Sequence, residues 1–101
     1  MPASHTMKLV TIIGESLARD AVTQLLREVG ARGYTLFEVE GAGAHGERTA
    51  EMSEFGNIQV EVIVPAPVCE RLMERLETEF FPRFALVAYD TDIRVRRSDK
   101  F

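Results

Sequence analysis

A single cysteine, Cys69, no tryptophan and two histidines, His5 and His45, leave little material for the commonest metal and redox sites. One thiol cannot close an intrachain disulfide, and no Cys/His cluster has zinc-ligand spacing, so no metal is assigned and a reducing cytoplasm is the expected compartment. No apolar run approaches the roughly 20 residues that cross a bilayer, and the opening MPASHT has neither the basic start nor the apolar core of a signal peptide. Neither export nor membrane insertion is expected. Positive charge is scarce: 12 Lys and Arg against 16 Asp and Glu give a net charge of −4. That balance disfavours general attraction to nucleic acid or anionic lipid, so an anion site has to be local. What the chain does have, over 101 residues, is 46% hydrophobic and 28% charged side chains, enough for one domain with a modest core and a solvated surface.

The apolar pattern sets out six elements. Lys8 to Ile13 (KLVTII) is short and β-branched and reads as a strand closed by Gly14. Met7 directly precedes it, so residues 1–6 read as an extension outside the domain, natural or left by expression. Ser16 is placed to cap a helix whose Leu17, Ala18, Ala21, Val22, Leu25, Leu26 and Val29 recur at helical spacing as far as Gly30. Tyr34 to Glu40 (YTLFEVE) reads as a second strand, followed by a glycine-punctuated segment. The stretch 44–56 has little apolar periodicity and reads as an exposed functional loop. Asn57 to Val64 (NIQVEVIV) alternates, with Ile58, Val60, Val62 and Val64 on one face. Pro67 suits the first turn of a second helix, which carries Val68, Leu72, Met73, Leu76 and Phe80 to about Phe81 before Pro82. Phe84 to Tyr89 reads as a strand, then Asp90-Thr91-Asp92 as a turn, then Ile93 to Arg97 as a second extended piece.

The resulting βαββαβ order predicts an α+β, ferredoxin-like antiparallel sheet with both helices on one face. Its strands are apolar on both sides: Leu9 and Ile13 oppose Val10 and Ile12, Tyr34 and Leu36 oppose Phe37 and Val39, and Leu86 opposes Val87. A sheet with one wet face alternates more cleanly, so the helix-free face is expected to be covered by other copies of the chain, in a ring.

Two features could bind an anion. Gly41-Ala42-Gly43-Ala44-His45-Gly46 lets backbone N–H groups converge and a ligand approach closely, which suits a phosphate. Read alone, it is equally an ordinary flexible turn. Arg94, Arg96 and Arg97, with Lys100 nearby, form the one basic cluster; on an extended strand Arg94 and Arg96 share a face and could grip one phosphate chain. Read alone, they are a solvated tail. The two become a site only if oligomerisation brings them together. His45 reads as a hydrogen-bonding loop residue, Glu47, Glu51 and Glu54 as solubilising charge, and Cys69 as a small half-buried thiol.

GARGYTLFEVEGAGAHG at 30–46, EVIVPAPVCERLMERL at 61–76 and IRVR at 93–96, in that order and spacing, resemble the PII signalling superfamily from Met7 to about Arg97. Residues 30–46 are similar to that family's second strand and the start of its T-loop, which here covers 44–56. The resemblance implies a non-catalytic homotrimer that binds an adenine nucleotide in clefts between subunits. It places Thr35 near the adenine and ribose, Ile13 and Val64 along the adenine pocket, and Gly41, Gly43 and Gly46 at the T-loop base. His45 falls near the phosphates, where the family has glutamine, and Arg94 and Arg96 reach the phosphates. The chain departs from the family in having FFPRFALVAY where a TGxxGDGK-like phosphate grip follows the second helix, and in lacking a tyrosine in the T-loop. AMP or ADP is therefore expected over ATP. The variant most resembles the carboxysome-associated, SbtB-type members linked to bicarbonate. That resemblance implies bicarbonate as a further ligand and a bicarbonate transporter as a partner read by the T-loop.

An ACT-type amino-acid-binding regulatory domain shares the element order and is the alternative, with its site at Gly14 to Ser16. An acylphosphatase needs an arginine in a phosphate-cradling loop after the first strand, which Gly14-Glu15-Ser16-Leu17 does not offer. An RNA-recognition domain needs aromatic residues in the middle of the third strand, and NIQVEVIV has none.

Overall fold

The structure, a computed structural model, describes residues 5–40 and 56–101. Four strands, β1 (His5–Glu15), β2 (Thr35–Val39), β3 (Asn57–Val64) and β4 (Leu86–Val95), form one sheet in the order β2-β3-β1-β4, and each neighbouring pair is antiparallel. Helix α1 (Arg19–Val29) carries the chain from β1 over β3 to β2, and α2 (Ala66–Arg75) carries it from β3 over β1 to β4. Two crossovers of the same hand put both helices on one face, the expected ferredoxin-like arrangement.

The core lies between that face and the helices. Val10 and Ile12 of β1 and Ile58, Val60, Val62 and Val64 of β3 pack there against Val22, Leu25, Leu26 and Val29 of α1 and Cys69 and Leu72 of α2. Helix α1 stops at Gly30, whose φ of 93° gives the left-handed turn that lets its N–H and that of Ala31 satisfy the carbonyls of Arg27 and Leu26. Helix α2 starts beside Pro65 and widens at its end into a π-helical turn, Leu76–Phe80, closed by the Phe81 N–H on the Leu76 carbonyl at 2.9 Å. That turn keeps both Leu76 and Phe80 in the core. Arg75 locks it from outside, with its guanidinium on Glu79 at 2.9 Å and on Glu28 of α1 at 2.8 Å.

Three local expectations are corrected. First, His5 and Thr6, set aside with the extension, pair with Val95 and Arg94 and lengthen β1. Second, Ser16 makes no side-chain cap: its backbone N–H goes to the Gly56 carbonyl at 3.1 Å, and the chain enters α1 through a 3-10 turn, Ser16–Ala18. Third, Asp90-Thr91-Asp92 is not a turn; β4 runs through it without a break. Asp90 and Asp92 fall on the helix side of β4, where Lys8 Nζ lies 2.6 Å from Asp92 and 3.9 Å from Asp90. This cation on the neighbouring strand holds in extended form two residues whose local preference is to turn. The hydrogen bond to Asp92 in turn raises the Lys8 pKa above its ordinary value.

The helix-free face is apolar, as the two-sided patterning predicts. Leu9, Ile13 and Ile63 are half-buried on it, while Phe37, Val87 and Tyr89 stand exposed, Val87 at 60% and Tyr89 at 54%. Among the described residues no helix is long and apolar enough to cross a membrane.

Candidate functional site

The register gathers several chain connections at one end of the sheet. Val39 pairs with Asn57, so the segment between β2 and β3 leaves and returns at adjacent positions. Gly56, just before β3, has a φ of 75°, a left-handed conformation that strains any side chain. Its carbonyl accepts the Ser16 N–H. Beside it, Glu15 exchanges two bonds with Ala85: its own N–H reaches the Ala85 carbonyl at 3.3 Å, and its carboxylate takes the Ala85 N–H at 3.1 Å. Gly14 permits this contact, because a Cβ there would run into the Ala85 carbonyl oxygen and the Leu86 side chain. The same end holds Asn57, 8% exposed, whose side-chain Oδ1 is buried without a hydrogen-bond donor among the described residues.

Gly41, Gly43, His45 and Gly46, and the T-loop 44–56 apart from Gly56, lie outside the described residues. The remaining predicted positions fall as follows. Ile13 and Thr35 both lie on the helix-free face, Ile13 half-buried between Gln59 and Val87 in register and Thr35 exposed opposite Glu61. Val64 faces the other way; it is 1% exposed in the core, as its alternation with Val60 and Val62 requires. Arg94 is exposed near the end of β4 opposite Thr6, and Arg96 is exposed one residue beyond the strand, in a bend.

These placements separate the described flanks of the glycine segment, Glu40 and Gly56, from Arg94 within one copy. The loop base sits at the Glu15 end of β1 and Arg94 at the Thr6 end. Nine residues of strand at about 3.3 Å each put them roughly 30 Å apart. No arginine side chain spans that distance, so within one copy Arg94 does not reach the Glu40 and Gly56 ends of the sheet.

Thr35 opens into a recess on the helix-free face, of about 250 Å³, walled by Leu9 and Ile63 below, Tyr34 and Glu61 beside it, and Lys100 and Phe101 of the segment after β4. The Arg32 guanidinium holds that segment by donating to the Asp99 carbonyl at 3.0 Å. Sequence reasoning did not single out Glu61 and Phe101, which line this recess, or the buried Asn57. For Glu61 the available signal was the one charged residue of NIQVEVIV, on the face opposite the core. Among the described residues no cluster of His, Cys, Asp or Glu is placed to hold a metal ion.

The sequence model of the nitrogen regulatory protein P-II family matches residues 7–100. The chain belongs to the P-II family. It is a signalling protein of that non-catalytic kind, which sets aside the ACT-type alternative. No curated protein matches the chain. Among solved structures it is similar to a PII-like signalling protein from Thermus thermophilus, with 37% identity, a TM-score of 0.82 and 97% of each chain covered. It is also similar to CPII from Thiomonas intermedia bound to ADP and bicarbonate, with 29% identity, a TM-score of 0.84, and 97% of this chain and 96% of that one covered. The same protein bound to ADP, AMP and bicarbonate gives 28% identity and a TM-score of 0.85 over 97% and 95% of the two chains.

Proposed function

We propose that the protein senses adenine nucleotide, ADP or AMP in preference to ATP, together with bicarbonate, and reports the ligand through the order of its T-loop, 44–56. The ligand binds in clefts between the subunits of a trimer. The observation that carries this reading is the distance between the strand ends that flank the glycine segment, at Glu40 and Gly56, and Arg94 of the same chain: in this reading the two halves of the site come from different copies. Three further facts support it. The helix-free face leaves Phe37, Val87 and Tyr89 exposed, as a surface awaiting a neighbour does. The family is P-II, and a protein 29% identical to this chain holds ADP and bicarbonate.

In this reading the backbone N–H groups of Gly41, Gly43 and Gly46, with His45, meet the phosphates from one subunit, and Arg94 and Arg96 meet them from the next. Ile13 and Thr35 serve the base and sugar. Bicarbonate, a small anion, adds hydrogen-bond acceptors against the loop base, so a loop that closes over both ligands is ordered more than by either alone. A membrane transporter for bicarbonate is the partner that reads the loop, and the cytoplasm is where the two meet. Calorimetric titration with AMP, ADP, ATP and cyclic AMP, each with and without bicarbonate, tests the reading. Heat with ADP or AMP that changes in bicarbonate is expected; silence with every adenine nucleotide would refute it.

A further inference from the structure

We infer that Lys8 is a positioning residue for phosphate binding: by occupying Asp92 it leaves the Arg94 guanidinium free for the ligand, and it pins the root of the short ribbon that carries Arg94. This rests on the adenine-nucleotide reading above, which gives Arg94 the phosphates. The ribbon follows from strand register. β3 pairs with β1 only as far as Val64 opposite Lys8, where the chain leaves at Pro65 for α2. Beyond Lys8, residues 5–7 of β1 have only Ile93, Arg94 and Val95 of β4 beside them among the described residues. Two strands alone are marginally stable in water, so this end of the sheet depends on its side chains. Met7 and Val95 are buried on its helix-free side. Thr6 and Arg94 face each other on the helix side, both exposed. The next rung on that side is Lys8 opposite Asp92, closed by the 2.6 Å ion pair.

Charge gives that rung its second effect. Asp90, Asp92 and Arg94 follow one another along the same face of β4, successive side chains roughly 7 Å apart. An arginine side chain spans such a gap, so Asp92 is the carboxylate best placed to capture Arg94. Lys8 takes it instead, and among the described residues Arg94 has no ion pair. Asp90, 3.9 Å from the same ammonium, draws Lys8 further over β4. Two carboxylates against one ammonium leave this face negative, so without Lys8 both carboxylates lose their counter-charge and the next cation along the strand is Arg94. A guanidinium that grips a carboxylate uses the same fork of N–H donors that would grip a phosphate. Lys8 thus keeps the arginine available without touching the ligand.

The test is calorimetry with ADP on the full chain, with far-UV circular dichroism to establish that each variant is folded. A charged hydrogen bond to phosphate accounts for roughly tenfold or more in affinity, so Lys8→Met is expected to raise the Kd about tenfold. Because Lys8 acts through Arg94, Lys8→Met should cost nothing further in an Arg94→Met background, and Lys8→Met/Asp92→Asn should return to within about threefold of wild type. A role in stability alone would add to the Arg94→Met loss. Thr6→Glu places a competing carboxylate opposite Arg94 with Lys8 intact, and should weaken ADP about tenfold relative to Thr6→Gln; this pair decides the matter should Lys8→Met not fold. If wild type binds ADP and Lys8→Met binds it equally well, if the Lys8 and Arg94 losses add, or if Thr6→Glu matches Thr6→Gln, the inference is overturned while the nucleotide reading stands. If wild type binds no adenine ligand, both are overturned.

Discussion

Gly14→Ala tests the joint that carries the loop base. The added Cβ would meet the Ala85 carbonyl oxygen and the Leu86 side chain, and would lie 2.9 Å from Leu86 Cα. Two of those three obstacles are backbone, so relief requires β4 to move away from β1 where they begin to pair. Overpacking of this kind costs about 1–3 kcal/mol. Moving Ala85 also strains its two bonds with Glu15, each worth about 1 kcal/mol net. The expected loss is therefore about 2–5 kcal/mol. At about 4–8 °C per kcal/mol for a domain near this size, the melting temperature should fall by roughly 10–40 °C. Gly33→Ala is the internal control, because a Cβ there meets nothing within 4 Å and the backbone is not left-handed. Thermal and urea unfolding followed by circular dichroism, at one protein concentration so that assembly contributes equally, compares the two. If Gly14→Ala loses no more stability than Gly33→Ala, the close approach of β1 to Ala85 is not what requires glycine at position 14.

Gly56→Ala should destabilise by about 1–2 kcal/mol from left-handed backbone strain alone, since its Cβ would sit an ordinary 3.6 Å from Ser16 Oγ; an unchanged urea midpoint would contradict that conformation. Cys69, 2% exposed and with its thiol pKa raised chiefly by burial, should react with a thiol reagent only as fast as the chain opens, so rapid labelling of the folded protein would argue against its place in the core. The Gln24 amide and then Arg75 hold Glu28, and Arg75 holds Glu79, below their ordinary pKa of 4.5, a stabilisation present above that value and lost as pH falls through the lower folded values. Acid unfolding of Arg75→Met should lack the Arg75 part of this component, keeping the Gln24 bond to Glu28, and begin from lower stability at neutral pH, whereas identical acid profiles would remove the ion pairs from the account.

Much of the fold was legible because it is local. The alternation of NIQVEVIV gives β3 the same limits in sequence and structure, and the glycine at position 30 ends α1 in both. What was missed depends on contacts far apart in sequence. Asp90-Thr91-Asp92 has turn chemistry, and it is held extended by pairing with Val10, Leu9 and Lys8 of the strand beside it, with the Lys8 ammonium on Asp92. The same applies to the site. The pattern that sets Val64 with Val60 and Val62 already commits it to the core face, while the recess beside Thr35 exists because Arg32 catches Asp99 from the other end of the chain. That Arg94 and the loop base lie at opposite ends of the sheet is a property of strand register, which no motif encodes.

The claim that the loop base and the arginines act from different copies is tested most directly by mixing two binding-defective variants. Gly41→Val/Gly43→Val removes the loop half and Arg94→Ala/Arg96→Ala the cationic half. Each alone should bind ADP weakly. Refolded together in equal amounts into random trimers, about a quarter of the clefts should unite two intact halves and recover wild-type affinity, read as calorimetric stoichiometry. Mixtures that bind no better than their parents, from variants that do assemble, would place both halves in one chain and contradict the account.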